Sequence, residues 1–374
     1  MKTLNFSDKI RSDFPILSKK INGKDLVYFD SAATSQKPRI VVDAISDFYL
    51  NNYGTVHRSV YSLSSWATQT YQDVRRSTAE LIGAKDSCEI LFNGGTTEGI
   101  NFIASNYAGK RVIISQMEHH SNIVPWHLQG ADIRVVPISQ KAELELEILE
   151  AFLKEGADLV SIAHVANSTG TINPIKKIIQ LAHEYGAKVL IDAAQSIAHL
   201  NIDVEELDCD FLAFSSHKAF GPTGLGVLYG KSELLDKFRP LEGGGDMIKK
   251  VSIDKTQFGQ LPLKFEAGTP PVAQVIGWGA AIKYIQKAGL ENIMSHEQSL
   301  TSYAINQLKE IDGLRFVGEA AKRSSIVSFV IEGVHHLDLA SSLDLEGIAI
   351  RSGHQCAQPL LDFFNLDGSC RISL

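Results

Sequence analysis

Apolar and polar positions follow two rhythms along this chain. From about residue 40 to 290, short runs that are apolar nearly throughout alternate with amphipathic stretches of helical spacing. The runs are RVIISQ (111–116), IRVVPI (133–138), DLVSIAHV (158–165), KVLIDAA (188–194), DFLAFS (210–215) and GVLYG (226–230). They are rich in Val, Ile and Leu, which suits strands buried on both faces, as in a parallel sheet. PIKKIIQLAHEYG (174–186) has helical spacing and a Gly stop. The alternation predicts an α/β fold, with helices on both sides of a sheet. LVYFDSAAT (26–34) reads as a short strand running into a small-residue turn, after an N-terminal arm over residues 1–22.

The pattern changes toward the C-terminus. GWGAAIKYIQKAG (277–289) and SLTSYAINQLKEIDG (299–313) read as helices, and SSIVSFVIEG (324–333) and IAIRSGHQ (348–355) as strands of a smaller α+β unit. The expected division is a large unit over 23–280 and a small unit built from 1–22 and 281–374. A chain of 374 residues is long enough for two such units.

Composition narrows the partners. The net charge is −7 and no basic run is present, which argues against nucleic acid or an anionic membrane as the main partner. No apolar stretch reaches the length of a membrane span, and MKTLNFSDKIRSDFPIL has no apolar signal region. The four cysteines form no C-x-x-C pair and are too few for a disulfide framework. A reducing, cytoplasmic location is expected.

On a doubly wound sheet, chemistry gathers at the carboxyl ends of strands. KVLID ends at Asp192, and DFLAFS ends at Ser215, followed by Ser216-His217-Lys218. A buried Lys with an acidic partner is what pyridoxal phosphate (PLP) requires: the amine holds the aldehyde and the acid keeps the ring nitrogen protonated. The same pair reads equally well as a capping Asp and a surface Lys. Asn93-Gly94-Gly95-Thr96-Thr97-Glu98 follows the apolar run EILF and opens a helix. Amides at a helix N-terminus, with Thr hydroxyls, bind phosphate well. Taken alone, an ordinary Gly turn with a Thr cap accounts for it better.

Five segments occur in one order: Glu118-His119-His120-Ser121-Asn122, Asp192-Ala193-Ala194-Gln195, Ser215-Ser216-His217-Lys218, Phe265-Glu266-Ala267-Gly268-Thr269-Pro270, and Arg351-Ser352-Gly353-His354-Gln355-Cys356-Ala357-Gln358-Pro359. Together they resemble the SufS-type (group II) cysteine desulfurases of the class V aminotransferase family, from about residue 10 to the end. The resemblance implies a large domain with a mostly parallel seven-stranded sheet flanked by helices, plus a smaller α+β C-terminal domain. It implies Lys218 as the Schiff-base lysine, Asp192 as the pyridinium partner, Gln195 on the PLP phenolic oxygen and His119 stacked on the ring. Thr97, Ser215 and His217 would bind the phosphate, with Thr269 reaching it from the other subunit of a homodimer. Asn167, His57, Arg351 and Arg371 would line the substrate site, the arginines gripping its carboxylate.

Cys356 would be the sulfur-accepting nucleophile, and its neighbours Arg351 and His354 favour a thiolate. The implied reaction turns L-cysteine into L-alanine and leaves a persulfide on Cys356. Its sulfur would pass to a small acceptor protein for iron–sulfur cluster assembly. The alternatives within the fold are a selenocysteine lyase acting on L-selenocysteine, or another PLP-dependent lyase or aminotransferase. Two departures stand out. Gly94 occupies a position where relatives usually carry Arg. Arg371 lies three residues from the last residue of the chain, so a frayed end is expected there.

Overall fold

A computed structural model describes residues 10–57 and 59–374. Its centre is a seven-stranded sheet of β1 (Ile90–Asn93), β2 (Arg111–Ser115), β3 (Asp132–Val136), β4 (Leu159–Ala163), β5 (Lys188–Asp192), β6 (Phe211–Ser215) and β7 (Gly226–Gly230), in spatial order β1-β7-β6-β5-β4-β2-β3. The sheet is parallel from β6 across to β3. Only β7 runs antiparallel, to both β6 and β1.

Successive residues of these strands feed two separate apolar clusters. Ile113, Val160, Val189, Ile191, Leu212 and Phe214 enter one; Val112, Ile114, Leu159, Leu190, Phe211 and Ala213 enter the other. Side chains of a strand alternate between faces, so both faces are covered. This is why the runs are apolar nearly throughout.

Helices packed around this sheet include α1 (Arg39–Asn51), α2 (Ser62–Leu81), α3 (Thr96–Asn106), α4 (Ile175–Glu184) and α5 (Val272–Ala288). Helix α5 is buried almost all round and packs on α1 and α2, as a helix apolar on every side must. Residue 280, the expected end of the large unit, lies within it. Helix α6 (Leu290–Leu308) follows.

A second, fully antiparallel sheet holds β8 (Leu314–Phe316), β9 (Ile326–Ile331), β10 (Arg351–Gly353) and β11 (Ser369–Ser373), in order β8-β9-β11-β10. The expected fraying at Arg371 does not occur. Arg371 sits in β11, an inner strand whose residues are all buried, and is paired on both sides. Pairing on both sides and burial hold this strand in place despite its nearness to the last residue. The segment Val27–Tyr28 pairs in parallel with Ile348–Ala349, and Asp30 bridges to Ser373. The DSAAT turn is thereby stitched to the small sheet. Among the described residues, no helix is long and apolar enough to cross a membrane.

Candidate active site

The carboxyl ends of β1, β2, β4, β5 and β6 open onto one cavity of about 460 Å³. That volume suits a small organic cofactor with its substrate. Its wall brings together Thr97, His119, Asn167, Asp192, Gln195, Ser215, His217, Lys218, Arg351, Cys356 and Arg371. Two expected residues lie elsewhere. The His57 ring packs edge-on against Tyr71 at 5.7 Å and is not part of this wall. Thr269 is exposed in the loop before α5, away from its own chain's cavity.

Asp192 ends β5 buried in the cavity wall, and one oxygen accepts from the Ala194 N–H at 2.9 Å. Burial raises its carboxyl pKa, while the Ala194 N–H and the charge of Lys218 pull it down. Lys218 lies in the short turn Ser216–Lys218 beyond β6. Burial lowers its amine below the ordinary lysine value, with Asp192 opposing. Each group is thus pushed toward its neutral form, and each partly offsets the cost of charging the other. Asp192 does cap the Ala194 N–H, but capping alone does not account for its sharing a cavity with Lys218.

The turn beyond β2 is held from behind. Glu118 accepts from Ser115 Oγ, from Asn122 Nδ2 at 2.7 Å and from the Ala163 N–H at the end of β4. Its burial lifts its carboxyl to about 7. His119 follows. Its Nδ1 accepts from the Ser121 N–H at 3.1 Å, which leaves the ring proton on Nε2. Burial first, then the charges of Lys218, His120 and Arg371, push it down to about 4. A neutral imidazole with a fixed tautomer therefore faces the cavity at neutral pH.

The N-terminus of α3 forms the opposite end. Thr96 donates from its backbone N–H to Ser215 Oγ at 2.8 Å, and the two hydroxyls lie 2.7 Å apart. Thr97 Oγ1 meets Ser121 Oγ at 2.8 Å. The His217 ring, also pushed down to about 4 by burial and by Lys218 and Lys37, contacts Thr34 Oγ1 at 3.2 Å through Nδ1. Thr96 belonged to the turn read from sequence but, unlike Thr97, was given no role of its own, because adjacent threonines in a turn cannot be ranked by pattern. The Glu98 side chain caps Gly94 N–H at 2.7 Å, so the missing Arg leaves a closed turn rather than a gap.

The third region is cationic. Arg351 and Arg371 stand directly opposite each other on β10 and β11. Both reach Asp30, at 2.9 Å and 3.0 Å. Arg371 also donates to the Asn167 carbonyl at 2.9 Å, and Asn167 Nδ2 donates to the Gln355 carbonyl at 2.7 Å. Asp30 was not singled out from sequence. Cys356 is exposed at the rim, in a left-handed backbone conformation with φ +55°.

These groups fit PLP: a buried amine and acid on one wall, a neutral ring, and hydroxyls with amides at a helix N-terminus. Residues 27–374 match the family model for aminotransferase class V. The chain belongs to the class V aminotransferase family. Within that family it is 46% identical over 378 residues to a cysteine desulfurase of Shigella sonnei (strain Ss046), covering 98% of this chain and 93% of that protein. A cysteine desulfurase of Escherichia coli (strain K12 / DH10B) matches at the same identity and coverage. Among solved structures, the apo cysteine desulfurase of Thermococcus onnurineus NA1 superposes with a TM-score of 0.94 at 35% identity, covering 100% of this chain and 94% of that one. An Escherichia coli cysteine desulfurase in an S-sulfonic acid form gives 0.91 at 37% identity, with the same coverage.

Proposed function

We propose that this class V family member is a PLP-dependent cysteine desulfurase of the SufS type, converting L-cysteine to L-alanine and holding the released sulfur as a persulfide on Cys356. The observation that carries the reading is the single cavity whose wall includes Lys218, Asp192 and Cys356. The 46% identity to cysteine desulfurases over nearly the whole chain supports it.

Lys218 would hold the cofactor and Asp192 its ring nitrogen, while Thr96, Thr97, Ser215 and His217 hold its phosphate. When bound, PLP supplies an electron sink that loosens the bonds at the substrate's Cα and the carbon–sulfur bond beyond it. The amine of Lys218, shifted down by burial, is placed to take the Cα proton. His119, neutral and with its proton on Nε2, would lie against the cofactor without adding a cation to the site. Gln195 is aimed by the bond from its Nε2 to the Ala32 carbonyl at 2.7 Å, leaving a second amide hydrogen for the phenolic oxygen. Arg351, Arg371 and Asn167 receive the substrate carboxylate. The Cys356 thiolate attacks the substrate sulfur, and an S–S bond forms as the carbon–sulfur bond breaks. The electron pair stays with carbon, where protonation completes alanine.

The Cys356 persulfide then passes to a small acceptor protein for iron–sulfur cluster assembly, and the enzyme works in the cytoplasm as a homodimer in which Thr269 serves the neighbouring subunit's phosphate site. The deciding experiment incubates the PLP-loaded protein with L-cysteine and measures alanine and protein mass. Wild type should form alanine and gain one sulfur on the peptide carrying Cys356. Cys356→Ala should lose both, and Lys218→Ala should lose the cofactor's covalent absorbance. Undiminished alanine formation by Cys356→Ala would refute the assignment.

A further inference from the structure

The loop that carries Cys356 is held in a costly shape. Gln355 and Cys356 are consecutive non-glycine residues at φ +46° and +55°, in the left-handed region that disfavours any Cβ. Such a conformation persists only where outside contacts dictate it. Gln355 is fixed from below: its carbonyl accepts from Asn167 Nδ2 at 2.7 Å, and its Nε2 donates to the Ser369 carbonyl at 3.0 Å. Cys356 is fixed from outside the loop by His120 and from within it by His354. The His120 N–H donates to the Cys356 carbonyl at 2.8 Å. The His120 ring accepts the Gln358 N–H at Nε2 over 3.2 Å and packs against the His354 ring at 5.6 Å between centroids. His354 in turn accepts the Cys356 N–H on its Nδ1 at 3.1 Å.

His120 is adjacent in sequence to His119, which faces the cavity. Both ride on the turn whose buried Glu118 is tied to the Ala163 N–H at the end of β4. A single rigid turn therefore faces the cavity with one histidine and grips the sulfur-bearing loop with the next.

We propose that His120 is a positioning residue that docks the Cys356 loop, setting the sulfur's place relative to the ring site. This rests on the desulfurase reading for its purpose, but the docking itself is a property of the protein without substrate. The ring contact is the part that mutation can remove, since the backbone bond survives any side chain. His120→Ala deletes the acceptor for Gln358; His120→Gln keeps an acceptor at a similar reach.

The test is amide exchange of the segment around Gln358, followed by mass spectrometry on protein without cysteine, together with steady-state kinetics. In His120→Ala, exchange of this segment should rise roughly fivefold, the population shift expected for one lost hydrogen bond. kcat for alanine formation should fall by a similar factor, with KM for L-cysteine and PLP uptake unchanged. His120→Gln should restore both protection and kcat. Wild-type exchange in His120→Ala would overturn the proposal. So would protection lost throughout the cavity wall, since that signals general unfolding. If wild type forms no alanine, the desulfurase reading falls, and exchange alone still decides whether His120 docks the loop.

Discussion

His164 follows β4 with its ring buried and its Nδ1 without a hydrogen-bond partner among the described residues. Burial pushes its pKa down to about 4, below the ordinary value of about 6.5. Between those two values the unfolded chain binds more protons than the folded one, so this group makes stability rise with pH. Its contribution is complete above about 6.5 and is lost as pH falls to 4. Glu118 acts in the opposite sense, because its folded carboxyl, near 7, retains a proton that the unfolded chain releases. The clean measurement is therefore a difference between variants. His164→Gln should flatten the pH dependence of urea stability between pH 7 and 4 by about 2–3 kcal/mol; parallel curves for the two proteins would contradict the argument. At this scale the sequence was informative where motif and strand end coincide, as at Asp192 and Lys218. It was blind to Asp30, whose partners are brought in from distant segments.

Elements carry the next level of constraint. Gly226 lies on β7, the antiparallel strand beside β1, and a methyl there would run into the Gly95 backbone and Asn93 Oδ1. Gly95 itself sits at φ +152° just before α3, a conformation that side chains rarely adopt. The phosphate turn thus needs two glycines, one in the turn and one across from it. Gly226→Ala should weaken PLP uptake at least tenfold, read by absorbance titration, and cost about 1–3 kcal/mol of stability. A second tie runs behind the site. Arg75 of α2 grips Glu266 through two bonds of 2.7 Å, both side chains buried, and Glu266 also accepts the Phe92 N–H of β1 at 2.9 Å. Arg75→Met should cost about 3–5 kcal/mol in urea unfolding, because it strands a buried carboxylate. Adding Glu266→Gln should recover part of that loss; strictly additive losses would mean the two residues do not act as a pair. The strands of the main sheet were legible because burial on both faces leaves long apolar runs. Strand β11 was not, since Ser369, Arg371 and Ser373 are polar yet buried, and only the folded sheet reveals who satisfies them.

Across the whole molecule, the small sheet meets the segment that leads into the cavity wall at a charged junction. Arg351 and Arg371 are cross-strand neighbours, and like charges directly opposite repel. Asp30, from the segment leading into the cavity wall, answers both. The three groups sum to one net positive charge, which is what a site for a carboxylate substrate needs. Without Asp30, Arg371 is a nearly inaccessible cation, its remaining contact being the Asn167 carbonyl. Asp30→Ala should therefore destabilise the protein by about 2–4 kcal/mol in urea unfolding, the cost of leaving a buried charge unpaired. Asp30→Asn keeps an acceptor oxygen but not the charge, so it should fall between Ala and wild type. Replacing Arg351, which is the more exposed of the two, should cost less than 1 kcal/mol, and in the desulfurase assay its effect should appear in KM for L-cysteine. If Asp30→Ala were as stable as wild type, Asp30 would not offset the repulsion between the two arginines, which would then be held in register by the β10–β11 ladder alone.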